Sequence, residues 1–262
     1  MEQSDIIWEV KKDAIRRMVK SGKRSDGRAG DEYRKIEFTE GYIPKSPGSC
    51  LIKMGNTQVL VGVKADVGEP YDDSPGRGNL STSCELSPLA SPDFSLGPPG
   101  EMSIEIARVV DRGIRESKMI DMDKLCITEG KEVWTLMVDI HVLDHDGNLT
   151  DAASLAAVKA LSNAYLPKYE DGKVLYTKQG EKVPVKEQPV SCSFVKIDET
   201  NILDPVLEEE KVKDAQITIV TTSKGEICAI QKSGSGTYSR EEIEGMVDKA
   251  IERGKEIRKN YW

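Results

Sequence analysis

Residues 133–162 read VWTLMVDIHVLDHDGNLTDAASLAAVKALS. Up to Leu143 the apolar residues alternate, so Trp134, Leu136, Val138, Ile140 and Val142 share one side of a strand with a wholly apolar face. From Leu149 the chain becomes rich in Ala and Ser, and a helix is expected. A strand that turns through DHDGN into such a helix gathers free N–H groups at the helix start, an arrangement suited to an anion. Yet the charged side chains between Leu143 and Leu155 are Asp144, Asp146 and Asp151. A helix N-terminus alone offers about half a positive charge, and three carboxylates would oppose a multiply charged phosphate. DHDGN also resembles the start of a calcium loop. Counting from Asp144, however, the places that need Gly and Glu hold Leu149 and Leu155, so a tight Asp-Gly turn accounts for it.

Upstream, GSCLIKMGNTQVLVGVKA reads as a hairpin turning at Met54-Gly55-Asn56-Thr57. GNLSTSCELSPLASPDFSLGPPGE is a strand that leaves through a Pro-punctuated loop. MSIEIARVVDRGIRES places Ile106, Val109, Val110 and Ile114 on one buried helix face. The first helix, 5–20, carries Ile6, Ile7, Val10, Met18 and Val19 at roughly helical spacing and reads as peripheral. Downstream, Tyr165-Leu166-Pro167 is expected to end the Ala-rich helix. The polar stretch 168–188 reads as a linker or surface hairpin.

Beyond it, PVSCSFVKI, NILDP and AQITIVTTSKGEICAIQKSG give strands, the last folding back at Ser223-Lys224-Gly225. Ser239-Arg240-Glu241-Glu242 is a capping box opening a helix with Ile243, Met246, Val247, Ala250 and Ile251 on one face. The expected organisation is α+β, with a helix and loop at 1–30, a first domain at 31–167, the linker at 168–188 and a second domain at 189–262.

The chain has 262 residues, 38% of them hydrophobic, enough for substantial cores. Its 37 basic and 45 acidic residues leave a net charge of −8, so binding to nucleic acid must come from a local patch. The five cysteines have no metal-knuckle or redox spacing and read as reduced, mostly buried hydrophobes. MEQSDIIWEVKKD has no apolar run long enough for a signal peptide, and a cytoplasmic protein without membrane contact is expected.

Three constellations could carry chemistry. Asp139 and His141 share a strand face and could orient an imidazole; the alternative is a polar outer face packed under another element. Asp204, Glu208, Glu209, Glu210 and Asp214 could hold Mg²⁺ or supply a general acid, but acidic runs are more often solvated loops. Arg108, Arg112 and Arg115 fall on one helix face and could track phosphates, unless Glu105 and Asp111 neutralise two of them.

The segments KRSDGR (23–28), GSCLIKMGNTQVLVGVKA (48–65), CELSPLASP (84–92), SIEIARVVDRGIRES (103–117), VDIHVLDHDGN (138–148) and ILDPVLEEE (202–210) together resemble the RNase PH family. Within it the chain is most similar to the non-catalytic RNase PH-like subunits of archaeal exosomes, on Leu203-Asp204-Pro205 with the following acidic residues and on Gly97-Pro98-Pro99 before the basic helix. The resemblance implies an RNase PH-like fold of two related β-sheet/helix-pair halves with a ribosomal protein S5 domain 2-like core. It also implies a hetero-hexameric ring in which three such subunits alternate with three catalytic ones, with RNA as ligand and RNA-binding cap proteins as further partners.

Active family members phosphorolyse RNA from its 3′ end and hold the attacking phosphate with Gly-Thr-Arg at the start of the small-residue helix. Here that stretch is Gly147-Asn148-Leu149-Thr150-Asp151, without the Arg. The resemblance therefore implies a structural subunit with no catalytic residue, metal or cofactor of its own, which shapes its partner's active site and touches RNA through Arg108, Arg112 and Arg115. The alternatives are an active phosphorolytic 3′-to-5′ exoribonuclease with a divergent phosphate site, or a nucleotide or small-molecule binding module.

Overall fold

A computed structural model describes residues 3–262, with side chains described from residue 11 onward. Helix α1 (Gln3–Lys20) precedes strands β1 (Ile36–Glu40), β2 (Gly48–Met54), β3 (Thr57–Gly68) and β4 (Asn79–Leu86). Helix α2 (Glu101–Glu116), a 3₁₀ turn at Met122–Leu125, β5 (Cys126–Thr128), β6 (Glu132–Asp144) and α3 (Leu149–Ser162) complete the first half. Its sheet runs β1-β2-β3-β6-β4, with β5 added to β6. Neighbours are antiparallel except β4 and β6, which lie parallel across the α2 crossover.

A two-stranded hairpin, β7 (Tyr165–Glu170) and β8 (Lys173–Lys182), leads to the second half: β9 (Val190–Ile197), β10 (Thr200–Leu203), α4 (Leu207–Val212), β11 (Ala215–Thr221), β12 (Ile227–Gly234) and α5 (Arg240–Tyr261). This second sheet is ordered β10-β9-β11-β12. The α+β architecture is the one the sequence led us to expect.

The opening stretch organises this architecture. Trp134, Leu136, Val138, Ile140 and Val142 of β6 are all buried. Helix α3 packs against β2 and β3 of the first sheet and β9 of the second, and its residues from Asp151 to Leu161 are buried without a break. A helix enclosed on every side has no use for a polar stripe, which explains its run of Ala, Leu and Val. Small side chains also allow close approach: a Cβ on Gly48 of β2 would lie 2.4 Å from the Ala160 carbonyl oxygen.

Helix α2 buries Ile106, Val109, Val110 and Ile114 as expected. Helix α5 forms its capping box, with Ser239 Oγ accepting from Glu242 N at 3.2 Å and Glu242 Oε2 accepting from Ser239 N at 2.7 Å. It buries Met246 and Ala250, while Ile243, Val247 and Ile251 are half-buried.

Two expectations need correction. Helix α3 ends at Ser162 with Asn163 as its C-cap, not at Tyr165–Pro167. Pro167 lies inside β7, beside register shifts in the isolated hairpin, where a strand tolerates a missing N–H. In α1 the docking face is Ile15 and Val19, which join Val195, Ile197, Ile202 and Val212 in a small separate core. Met18 is exposed, and the side chains of Ile6, Ile7 and Val10 lie outside the described residues. No helix among the described residues is long and apolar enough to cross a membrane.

Candidate functional site

The loop between β6 and α3 is built by backbone conformations that few residues adopt. Gly147 has φ +86°, and a Cβ there would lie 2.5 Å from the Pro205 carbonyl oxygen. Asn148 follows in the left-handed region, φ 52° and ψ 45°, where Asn is better tolerated than most residues. This packs the loop onto the segment that leads into α4.

The Asn148 amide and the carboxylates around it are already engaged within the chain. The Asn148 backbone N–H donates to Glu210 Oε1 at 2.8 Å. The Asn148 side-chain amide donates to Asp151 Oδ2 at 2.9 Å and to Asp204 Oδ1 at 2.8 Å. Asp151 is fully buried and takes three more donors: Tyr33 Oη at 2.8 Å, Ser193 N at 2.9 Å and Ser193 Oγ at 2.8 Å. Burial raises its carboxyl to about 6 against the pull of those donors. Asp151 is thus an internal acceptor holding α3 to β9, which corrects the reading of it as a carboxylate set against an incoming anion.

The loop's own residues include no cation, but one arrives from elsewhere. Arg34 grips both Asp204 oxygens, from Nε at 3.0 Å and Nη2 at 2.8 Å, and donates to the Asp146 and Gly147 carbonyls at 2.7 and 3.2 Å. Arg28 adds a second contact to Asp204 at 2.8 Å. Burial works to raise the Asp204 carboxyl, but hydrogen bonds and charge from Arg34 outweigh it and hold the group below the usual carboxylate range. Arg24 and Glu209 form a further ion pair at 2.6 Å, with side chains 2% and 1% exposed.

The acidic run is therefore no solvated loop. Asp204 and Glu209 pair with arginines, Glu210 caps the Asn148 amide, Asp214 meets Arg16 at 2.7 Å, and Glu208 lies 3.7 Å from Lys11. The arginines stand some 170 to 185 positions from their partners, so no local pattern joins them. The segment KRSDGR holds Arg24 and Arg28, while Arg34 lies beyond it in a stretch with no motif of its own.

Asp139 and His141 lie on the outer side of β6, where Ser83 donates to Asp139 at 2.8 Å and Glu85 sits 3.3 Å from His141. Asp139 is exposed and His141 half-exposed, so this polar face meets solvent and is not packed under another element. His145 is buried and stacked on Phe94, ring centroids 5.3 Å apart, and burial lowers its pKa. Cys50, Cys84 and Cys192 are buried, with thiols raised to about 12 and correspondingly inert.

Arg108, Arg112 and Arg115 are all exposed on α2. Arg108 and Arg112 line an open depression of about 430 Å³ with Gln231 of β12, and Arg112 donates to Gln231 Oε1 at 3.1 Å. The expected Glu105–Arg108 pair does not form among the described residues, while Asp111 does pair with Arg115 at 2.6 Å. Arg115 also reaches the Leu80 carbonyl and lines a different depression. The three arginines keep the one exposed stripe of α2, but Arg115, two turns along from Arg108, enters a different depression.

The chain matches the 3′ exoribonuclease family, domain 1, over residues 32–167 and domain 2 of the same family over residues 187–253. It belongs to the RNase PH family. It is 46% identical to the exosome complex component Rrp42 of Thermoplasma acidophilum, across 100% of this chain and 98% of that protein. It is also 46% identical to the Rrp42 component of Pyrococcus furiosus, across 99% and 95%. Its fold superposes on a chain of the Archaeoglobus fulgidus exosome with RNA bound to the active site, with a TM-score of 0.93, 43% identity, and coverage of 98% of this chain and 100% of that one. In this family chain, then, Asp151, Asp204 and Glu210 all accept from Asn148.

Proposed function

We propose that this protein is a non-catalytic, RNA-contacting subunit of an exosome-type 3′-to-5′ RNA-degrading ring, alternating with a catalytic RNase PH-like partner in sets of three. The observation that carries this reading is the Asn148 N–H bound to Glu210 at 2.8 Å. With the Asn148 N–H taken by the chain's own Glu210, and Arg34 committed to Asp204 and two carbonyls, an attacking phosphate would compete with an internal carboxylate and meet no cation among the loop's own residues. The full-length likeness to proteins named Rrp42 supports the same reading.

The chain contributes Arg108, Arg112 and Arg115 to the RNA path and holds its partner's active site in a productive shape. RNA-binding cap proteins and a cytoplasmic setting belong to the same reading. The test is phosphate-dependent RNA degradation by this chain alone, by the partner alone and by the mixture. The expected result is no nucleoside diphosphate from this chain, little from the partner, and full activity from the mixture. Turnover by the pure chain, or equal partner activity without it, would overturn the proposal.

A further inference from the structure

Arg115 opens onto a second depression, of about 450 Å³, at the C-terminal end of α2. Its floor is apolar: Leu80, Ile114 and Ile120 are 2%, 3% and 5% exposed. Its rim draws Arg77, Arg115, Lys118 and Lys186 from separate segments, and Tyr71 stands at its edge 58% exposed.

The walls are fixed by backbone bonds. Gly78 N donates to the Met122 carbonyl at 2.9 Å, Lys186 N to the Met119 carbonyl at 2.7 Å, and Asp121 N to the Pro184 carbonyl at 2.8 Å. The turn carrying Tyr71 is closed by Ser74 N and Arg77 N, which donate to Tyr71 and Ser74 carbonyls at 3.0 and 3.1 Å.

Four cations here meet Glu116, Asp121 and Asp123, with Asp111 beside Arg115, so the patch is free of the negative excess of the whole protein. The cations of these pairs stay open to solvent: Arg77–Asp123 at 3.3 Å, Lys186–Asp121 at 2.8 Å and Arg115–Asp111 at 2.6 Å. Such pairs contribute little and leave donors free. Lys118 has no partner among the described residues, and its φ of 54° turns the chain at the end of α2. An apolar floor, a cationic rim and an exposed aromatic ring form the set that holds a nucleotide of a single strand, with its base on the ring and its phosphate on the rim.

We propose that this depression is a second contact point for single-stranded RNA, in which a base stacks on Tyr71 and the backbone phosphate is held by Arg115, Lys118 and Lys186. It rests on the RNA-contacting reading above and extends the RNA track across α2, since Arg108 and Arg115 stand about 10 Å apart along the helix. Unlike the Arg108–Arg112 depression, it supplies a stacking surface.

The test measures binding of a fluorescent single-stranded oligoribonucleotide to the assembled ring carrying Tyr71→Ala, Tyr71→Phe, or the double change Lys118→Asn with Lys186→Gln; Asn keeps the left-handed backbone accessible. An Arg108→Ala, Arg112→Ala ring serves as the reference for the first depression. Expected are a loss of about fivefold or more with Tyr71→Ala, retention with Tyr71→Phe, and a flatter salt dependence for the lysine double change. Crosslinking of 4-thiouridine-labelled RNA to Tyr71 should accompany these losses. If the Tyr71 and lysine rings bind RNA as the unaltered ring does while the Arg108/Arg112 ring is weakened, this site is wrong and the proposed function stands. If none of the rings is weakened, the RNA-contacting reading fails with it. Binding of uridine diphosphate at Tyr71 as tight as that of the oligonucleotide would also overturn it, marking a free-nucleotide site.

Discussion

Asp151 on α3 and Ser193 on β9 are joined twice, backbone N–H and hydroxyl of Ser193 each donating to a different carboxylate oxygen at 2.9 and 2.8 Å. With Tyr33 and Asn148 the carboxylate receives four donors at full burial. Asp151→Asn removes a buried charge yet turns an NH₂ toward groups that also donate. We expect it to destabilise the protein by about 2–4 kcal/mol in urea unfolding, because buried donors left without acceptors cost about 1–3 kcal/mol each. A neutral or stabilising Asn would mean that the donors find other acceptors.

The same carboxyl gives a pH signature. Its folded pKa is raised to about 6 from 3.8, so between those values the folded state holds more protons than the unfolded one, and this group's contribution to stability falls as pH rises through that window. Asp204 has the opposite sign: its pKa is lowered, so its contribution is present above 3.8 and is lost as pH falls below that value. The stability advantage of the native protein over Asp151→Asn should shrink from about pH 4 to about pH 6 and level off above, whereas the advantage over Asp204→Asn should shrink only on acidification below about pH 4. Parallel curves for the two variants would contradict these assignments.

Arg24 and Glu209 are a buried pair 2.6 Å apart. Arg24→Met should cost about 3–5 kcal/mol by stranding Glu209, and adding Glu209→Leu should recover much of that loss, since apolar replacements of buried pairs are often tolerated. A double variant no better than the single one would show that Arg24's bonds to the Leu203 and Asp204 carbonyls, at 2.9 and 2.7 Å, carry the effect instead.

Arg112 and Arg115 should separate in their effects. Among the described residues Arg112 bonds only Gln231, so Arg112→Ala should leave melting unchanged while lowering the salt slope of RNA binding by the assembled ring by about 0.7. Arg115 ties α2 to Asp111 and the Leu80 carbonyl, so Arg115→Ala should lower the slope similarly and also cost up to about 1 kcal/mol of stability. Identical melting of the two variants would refute this division.

How far the sequence carries can be read from particular elements. The alternation in β6, the buried face of α2, both hairpin turns and the Ser239–Glu242 cap were legible because each depends on neighbours within a few positions. The loop after β6 was legible as architecture, and its missing Arg was plain. That Asp151 points inward to Tyr33 and Ser193, that Glu210 meets Asn148, and that Arg24, Arg28 and Arg34 meet Asp204 and Glu209 were not legible. Those contacts join segments that only the tertiary fold brings together. The division of Arg115 from Arg108 and Arg112 was hidden for a related reason: helical phase fixes angle around α2, but β4 and β12 decide which depression each side chain enters.

Enclosing α3 between two sheets has a consequence for how this molecule comes apart. The two regions that match separate family segments do not own separate interiors, because α3 from the first half contributes to the surface on which β9 of the second half rests. Melting should proceed as a single cooperative step, and protease nicking in the β7–β8 hairpin should release no half that stays folded. Recombining one half of this chain with the other half of a relative would require both sides of the α3–β9 contact to be exchanged together.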